Sequence, residues 1–214
     1  MNLPDLTLQL IYGRLAWGIV LAALLIAFWP RRRLLSNGMV AVVTAGMIAL
    51  QVLPGPASPA YWLGLAFQLP SCLLVGICCA KLYLAAPGTA VRETVMAPAL
   101  ALLIAAAGTV LYLDAMGLLS LGLYYWGFGP NAAPLMAVLL AAVGAVAIAR
   151  GKARPQAYAL LIGMLAFSIL RLPTGNIWDA LLDPFLWGWA IVALVALVRS
   201  RWRRPSRPAS APAN

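Results

Sequence analysis

The sequence predicts an all-α integral membrane protein, a bundle of about seven transmembrane helices, and three observations carry that reading. Of the 214 residues, 64% are apolar and only 9% are charged, against about 45–50% and about 25% in a soluble domain. Apolar stretches approaching the roughly 20 residues of a spanning helix recur seven times. The basic residues cluster on alternate connections between those stretches.

The first stretch, from about Ile11 to Trp29, ends at Pro30 and the run Arg31, Arg32, Arg33. It lacks the basic start and small-residue cleavage site of a secretory signal, so it reads as a retained helix. The second, Asn37 to Leu53, stops at the uncharged turn Pro54-Gly55-Pro56-Ala57-Ser58-Pro59. The third, Tyr61 to Leu84, is broken near its outer third by Pro70, which cannot donate to the helical ladder. After a loop with Arg92 and Glu93, the fourth covers Met96 to Leu113 and the fifth Ala132 to Ala149. Between them, Asp114 to Asn131 is too rich in glycine and aromatic residues to span, and reads as an interfacial or re-entrant segment. The sixth runs from Gln156 to Leu170 and the seventh from Pro184 to Val198. Residues 1–198 form a single transmembrane domain, and 199–214 form a basic, proline-rich cytoplasmic tail predicted to be disordered and to meet anionic lipids.

Orientation follows from the basic residues, because cytoplasmic loops concentrate Lys and Arg. With the N-terminus outside and the C-terminus inside, the inner face collects every one of the 15 basic residues except Arg14 and Arg171. Asp5, Asp114, Asp179 and Asp183, four of the five acidic residues, fall outside. The expected location is a cell inner membrane, with a periplasmic N-terminus and a cytoplasmic C-terminus. Small residues recur at every fourth position of helices four (Ala97, Ala101, Ala105, Thr109) and five (Ala133, Ala137, Ala141, Ala145, Ala149). Such stripes permit close backbone approach, so these two helices are expected to pair.

A net charge of +10 would suggest nucleic acid in a soluble protein. Here the cations flank apolar segments, and topology accounts for them without a nucleic-acid partner. The absence of histidine excludes a Ser/His/Asp triad, an HExxH metalloprotease site and bis-histidine haem ligation. Cys72 and Cys79 share a helix face but lie seven residues apart, roughly 10 Å along the axis. Two thiolates on one ion, at about 2.3 Å each, reach no further than ~4.6 Å. Cys72, Cys78 and Cys79 therefore read as packing residues, and no metal, cofactor or catalytic residue is expected.

The candidate ligand-binding residues lie toward the outer surface: Arg14, Gln68, Asp114, Arg171, Asp179, Trp126 and Trp178. Ionisable groups inside membrane helices are costly and commonly functional, although Arg14 and Arg171 are also placed to snorkel to the headgroups. Asp179 and Asp183, four apart, share a face if one helix holds both. Capping competes with that reading, since Asn176 precedes Asp179 by three residues and Asp183 precedes Pro184. Aromatic residues such as Trp126 and Trp178 suit an interfacial belt or the wall of a pocket, and Gln68 above Pro70 forms a polar notch beneath it.

The functional expectation is a non-enzymatic membrane protein that binds or transports a small polar or lipid-linked molecule through an outward-facing pocket. The alternatives are an embedded enzyme of envelope lipid or glycan metabolism, with Asp179 or Asp114 as general base, and a structural subunit held by a membrane-protein partner.

Overall fold

A computed structural model describes residues 3–29, 36–85 and 95–202, and every regular element among them is helical. The elements are α1 (Leu6–Ala27), α2 (Asn37–Gln51), a 3-10 turn (Gly55–Ala57), α3 (Pro59–Phe67) and α4 (Cys72–Ala85), followed by α5 (Pro98–Ala115), α6 (Leu123–Trp126), α7 (Ala132–Ala149), α8 (Arg154–Leu170), α9 (Ile177–Leu181) and α10 (Pro184–Trp202). Four of them, α1, α5, α7 and α10, are long and apolar enough to cross a membrane. The fold is that of a helical membrane protein. Arg31 to Arg33, Arg92, Glu93, Arg203, Arg204 and Arg207 lie outside the described residues.

The apolar stretches read from the sequence each contain a helix, and their ends follow local chemistry. Asp5 accepts the amides of Thr7 and Leu8 and so starts α1 five residues before the expected Ile11. Proline occupies the first turn of α3, α5 and α8, where its missing N–H costs nothing. The Asp114–Asn131 connection contains only the single turn α6, with Met116, Leu118, Leu121, Tyr125 and Trp126 exposed. At the other end of the chain, α10 continues past Val198 through Trp202, so the tail begins at least four residues later than the sequence suggests. Arg199 and Arg201 fit that last turn because cations there complement the helix dipole.

Helices α2, α1, α4, α8 and α7 pack in that order, each on the next, while α10 packs on α5. Rings join the two groups: Phe185 of α10 meets the edges of Trp17 and Phe67, at 5.3 and 4.8 Å between centroids. Lys81 of α4 lies 4.6 Å over the ring of Trp189. Trp17, Ile77, Phe167 and Leu186 form the buried centre.

The expected pairing of the two small-residue stripes is not what forms. The helices that carry them, α5 and α7, take separate partners, α10 and α8. The physical reason lies in what fills the gaps. On α5, a Cβ at Gly108 would stand 2.5 Å from the indole of Trp187, so that notch holds an α10 side chain. On α7, Gly144 faces Ala157 and Leu161 of α8. Small residues permit close approach without naming the partner.

The third apolar stretch divides into α3 and α4 across Gln68–Ser71, as Pro70 predicts. Gln68 adopts φ 61° and ψ −124°, a backbone conformation that suits glycine and is strained for a residue with a Cβ. The break frees backbone groups from the helical ladder, and other parts of the protein take them up. Trp17 Nε1 donates to the Gln68 carbonyl at 3.2 Å, and the Tyr12 hydroxyl donates to the Pro70 carbonyl at 2.7 Å. The amide of Ser71 donates to Oδ2 of Asp183 at 2.8 Å, while Oδ1 of the same carboxylate accepts the amides of Phe185 and Leu186, both at 2.8 Å. One carboxylate thus caps the N-termini of α4 and α10 together.

Asp183→Ala is expected to lower stability by about 3 kcal/mol, since three amides, two of them buried, lose an acceptor. Asp183→Asn is expected to lose roughly half as much, because its remaining oxygen keeps the α10 cap while its NH2 faces the Ser71 amide. Unfolding of the purified protein in detergent measures both; equal losses in the two variants would show that the α10 cap contributes nothing, and an unchanged Asp183→Asn would show the same of the α4 bond.

Candidate functional site

Hydrogen bonding gathers one end of the bundle into a polar cap built from α6, α9 and the Leu172–Asn176 connection. Asn176 caps α9 by accepting the amide of Trp178, and its side-chain NH2 donates to the Tyr124 carbonyl. Trp178 Nε1 donates to the carbonyl of Leu123, and the Ile177 amide donates to that of Gly127. A Cβ at Gly127 would overlap the Asn176 side chain, so glycine is required where α6 meets α9. Gln9 of α1 reaches the same cap through its donation to the Pro173 carbonyl.

The carboxylates of this end are all engaged within the protein. Asp114 accepts the amides of Leu121, Gly122 and Tyr124, at 2.9, 3.0 and 3.1 Å, and so fixes the turn into α6. Asp179 accepts the hydroxyls of Tyr124 and Thr174. Burial pushes its carboxyl above the usual range, and those two donors oppose the shift. Burial likewise lifts the Tyr124 hydroxyl to about 12, assisted by the charge of Asp179. Asp183 completes the set through the shared cap already described. Asp179 and Asp183 do not lie on one helix, because the chain turns between α9 and α10 at Leu182.

The seven candidate residues therefore divide. Asp114, Asp179 and Trp178 are joined through Tyr124 and Leu123. Trp126 is exposed on α6, and Gln68 is exposed at the α3–α4 break with its carbonyl bound to Trp17. Arg171, in a left-handed conformation at the end of α8, lies 5.3 Å from the Phe167 ring. Arg14, by contrast, lines a cavity. Its cavity, about 320 Å³, opens between α1 and α3 and includes Gln9, Trp17, Ser58 and Tyr61.

Sequence reasoning missed Gln9, Ser58 and the α4/α8 interface. Ser58 carried a readable signal, since a Ser before Pro59 suits an N-cap, and its oxygen does accept the amide of Ala60. Along α4 and α8 a second, larger cleft of about 660 Å³ opens beside Cys72 and Cys79. Cys72 and Cys78 are buried and Cys79 is exposed. Among the described residues no three Cys, Asp or Glu side chains converge as metal ligands would. Comparison with protein-family models, curated proteins and solved structures finds no match.

The raised carboxyl of Asp179 carries a pH signature. A folded-state value above the ordinary 3.8 favours the protonated form, so its contribution is full below that value and is lost as pH rises through the raised one. Asp179→Asn imitates the protonated state. Its stability relative to the native sequence is expected to increase between pH 4 and pH 7 in detergent melting experiments, and a pH-independent difference would contradict the assignment.

Proposed function

We propose that this chain crosses a bacterial-type inner membrane seven times, with a periplasmic N-terminus and a cytoplasmic C-terminus, and binds a small anionic or lipid-linked molecule at its outer face. The crossings in this reading are α1, α2, the interrupted pair α3 and α4, α5, α7, α8 and α10. Support for counting α3 and α4 as one crossing comes from their break, whose carbonyls are satisfied by Tyr12 and Trp17 as a non-aqueous setting demands. Support for the orientation comes from charge: Arg150, Lys152, Arg154, Arg199 and Arg201 sit at helix ends opposite the carboxylate cap.

The observation that carries the ligand assignment is Arg14. It borders a cavity, and each of the four described carboxylates accepts bonds from amides or hydroxyls rather than from this cation. A cation without a counter-charge among the described residues, two turns into an apolar helix, suits an external anion. The cavity is at the small end of ligand pockets, about 300–1,000 Å³ in general, which favours a headgroup-sized occupant. Tyr61 supplies an aromatic wall, while Trp17 and Gln9 use their N–H groups to hold the backbone.

What weighs against the enzymatic alternative is the condition of its two general-base candidates, since Asp114 and Asp179 already accept three amides and two hydroxyls respectively. A base so engaged has to surrender those bonds before it takes a proton.

The test uses dihexanoyl phosphatidic acid and dihexanoyl phosphatidylcholine as probes of anionic and zwitterionic headgroups. Thermal midpoints of the purified protein should rise with the acid more than with the choline lipid, because a ligand bound to the folded state stabilises it. Arg14→Gln should weaken the acid about tenfold, the effect of removing one charge-assisted contact, whereas Arg171→Gln should leave it unchanged. An unaltered response in Arg14→Gln would sink the proposal.

A further inference from the structure

The Arg14 cavity lies along α1 and α3, whereas the larger cleft lies along α4 and α8, and its construction differs. Helices α4 and α8 cross so closely that a Cβ at Gly76 would stand 2.7 Å from that of Ala159. Beside this crossing the cleft follows α4 from Cys72 to Leu84, about 18 Å at 1.5 Å per residue. One leaflet of hydrocarbon is about 15 Å deep, half of a ~30 Å core. The walls are apolar over most of that length; Tyr12 and Cys72 stand at the end where α4 begins, and Arg154, Tyr83 and Tyr158 form the mouth at the other. That end is the basic end of the bundle. No described carboxylate lies there, while Arg150 and Lys152 precede Arg154 in the same connection. The N-terminus of α8 adds its dipole at the mouth, because Ala153 provides no side-chain cap.

We propose that the α4/α8 cleft is a binding site for an anionic phospholipid of the adjoining leaflet, one acyl chain lying along the cleft and the phosphate meeting Arg154. The length of the cleft matches the chain, and the guanidinium supplies a planar, permanently charged partner for the phosphate. Tyr83 and Tyr158 stand at the level where tyrosine hydroxyls meet headgroups. Among the described residues the mouth presents only positive charge, which distinguishes an anionic headgroup from a zwitterionic one.

Native mass spectrometry of the full-length, delipidated protein tests this, with dioleoyl phosphatidylglycerol and dioleoyl phosphatidylcholine as probes that share their chains. Phosphatidylglycerol should bind the native sequence about tenfold more tightly, as one charge-assisted contact allows. Arg154→Gln should reduce it to the level of phosphatidylcholine, while Arg199→Gln, at the basic end but outside the cleft, and Arg14→Gln, in the other cavity, should not. Ala80→Trp, which fills the cleft, should weaken both lipids. Equal binding of the two lipids by the native protein, equal losses in Arg154→Gln and Arg199→Gln, or unchanged binding in a folded Ala80→Trp would each overturn the proposal. Because Arg154 is exposed, its substitution keeps the test decisive even where Ala80→Trp does not fold.

Discussion

The carboxylate of Asp183 is the constraint on which the arrangement of the helices depends. It is buried, and its two oxygens take amides from the starts of α4 and α10, segments 112 residues apart in the chain. Two helix N-termini brought together would repel, since each carries partial positive charge and unsatisfied N–H groups. A shared anion turns that repulsion into attraction. It also fixes where α10 enters the bundle, which sets Phe185 between Trp17 and Phe67 and places Trp187 in the notch at Gly108. The α3–α4 break can persist because its remaining polar groups are served by α1, through Tyr12 and Trp17. The break and its partners thus form a single unit, and removing one leaves the others without their hydrogen bonds.

Charge segregation follows from the same economy of donors and acceptors. Each described carboxylate is committed to amides or hydroxyls near a helix end, so none remains to neutralise a cation elsewhere. Arg14 and Arg154 consequently border the two cavities without a described carboxylate in contact. A cleft in an apolar bundle is indifferent chemistry until such a group faces it. In the polar cap, by contrast, the carboxylates and Asn176 are occupied in holding short turns together.

Much of this fold was legible in the sequence, and the legible part is local. Apolar length located the helices, Pro70 marked the break, and Asn176 and Asp183 announced the starts of α9 and α10 as N-caps. Capping is a short-range code, read within three residues. The second oxygen of Asp183 obeys no such code, and nothing near Ser71 names its acceptor. The α5 and α7 stripes failed for a related reason, because small residues specify a distance of approach and leave the partner open. The charge of Asp114 and Asp179 is plain in the sequence, whereas their partners, the amides of Leu121, Gly122 and Tyr124 for one and the hydroxyls of Tyr124 and Thr174 for the other, depend on how the connections around them fold back.

The origin of the larger cleft joins packing to binding. At Gly76 and Ala159 the backbones of α4 and α8 touch, and Gly163 opposes Cys72 one step further along. Residues small enough to bring two helices together have no side chains with which to fill the space beside the crossing. Longer residues on either side, Tyr83, Tyr158 and Ile162, rise as its rim. A groove is thus the geometrical consequence of a small-residue crossing, and its selectivity is decided by whatever stands at its ends. Here Arg154 opens α8 because the helix begins with Arg154-Pro155, and proline suits the first turn. The residue pattern that starts the helix therefore also sets a fixed cation at the mouth of the cleft that the helix encloses.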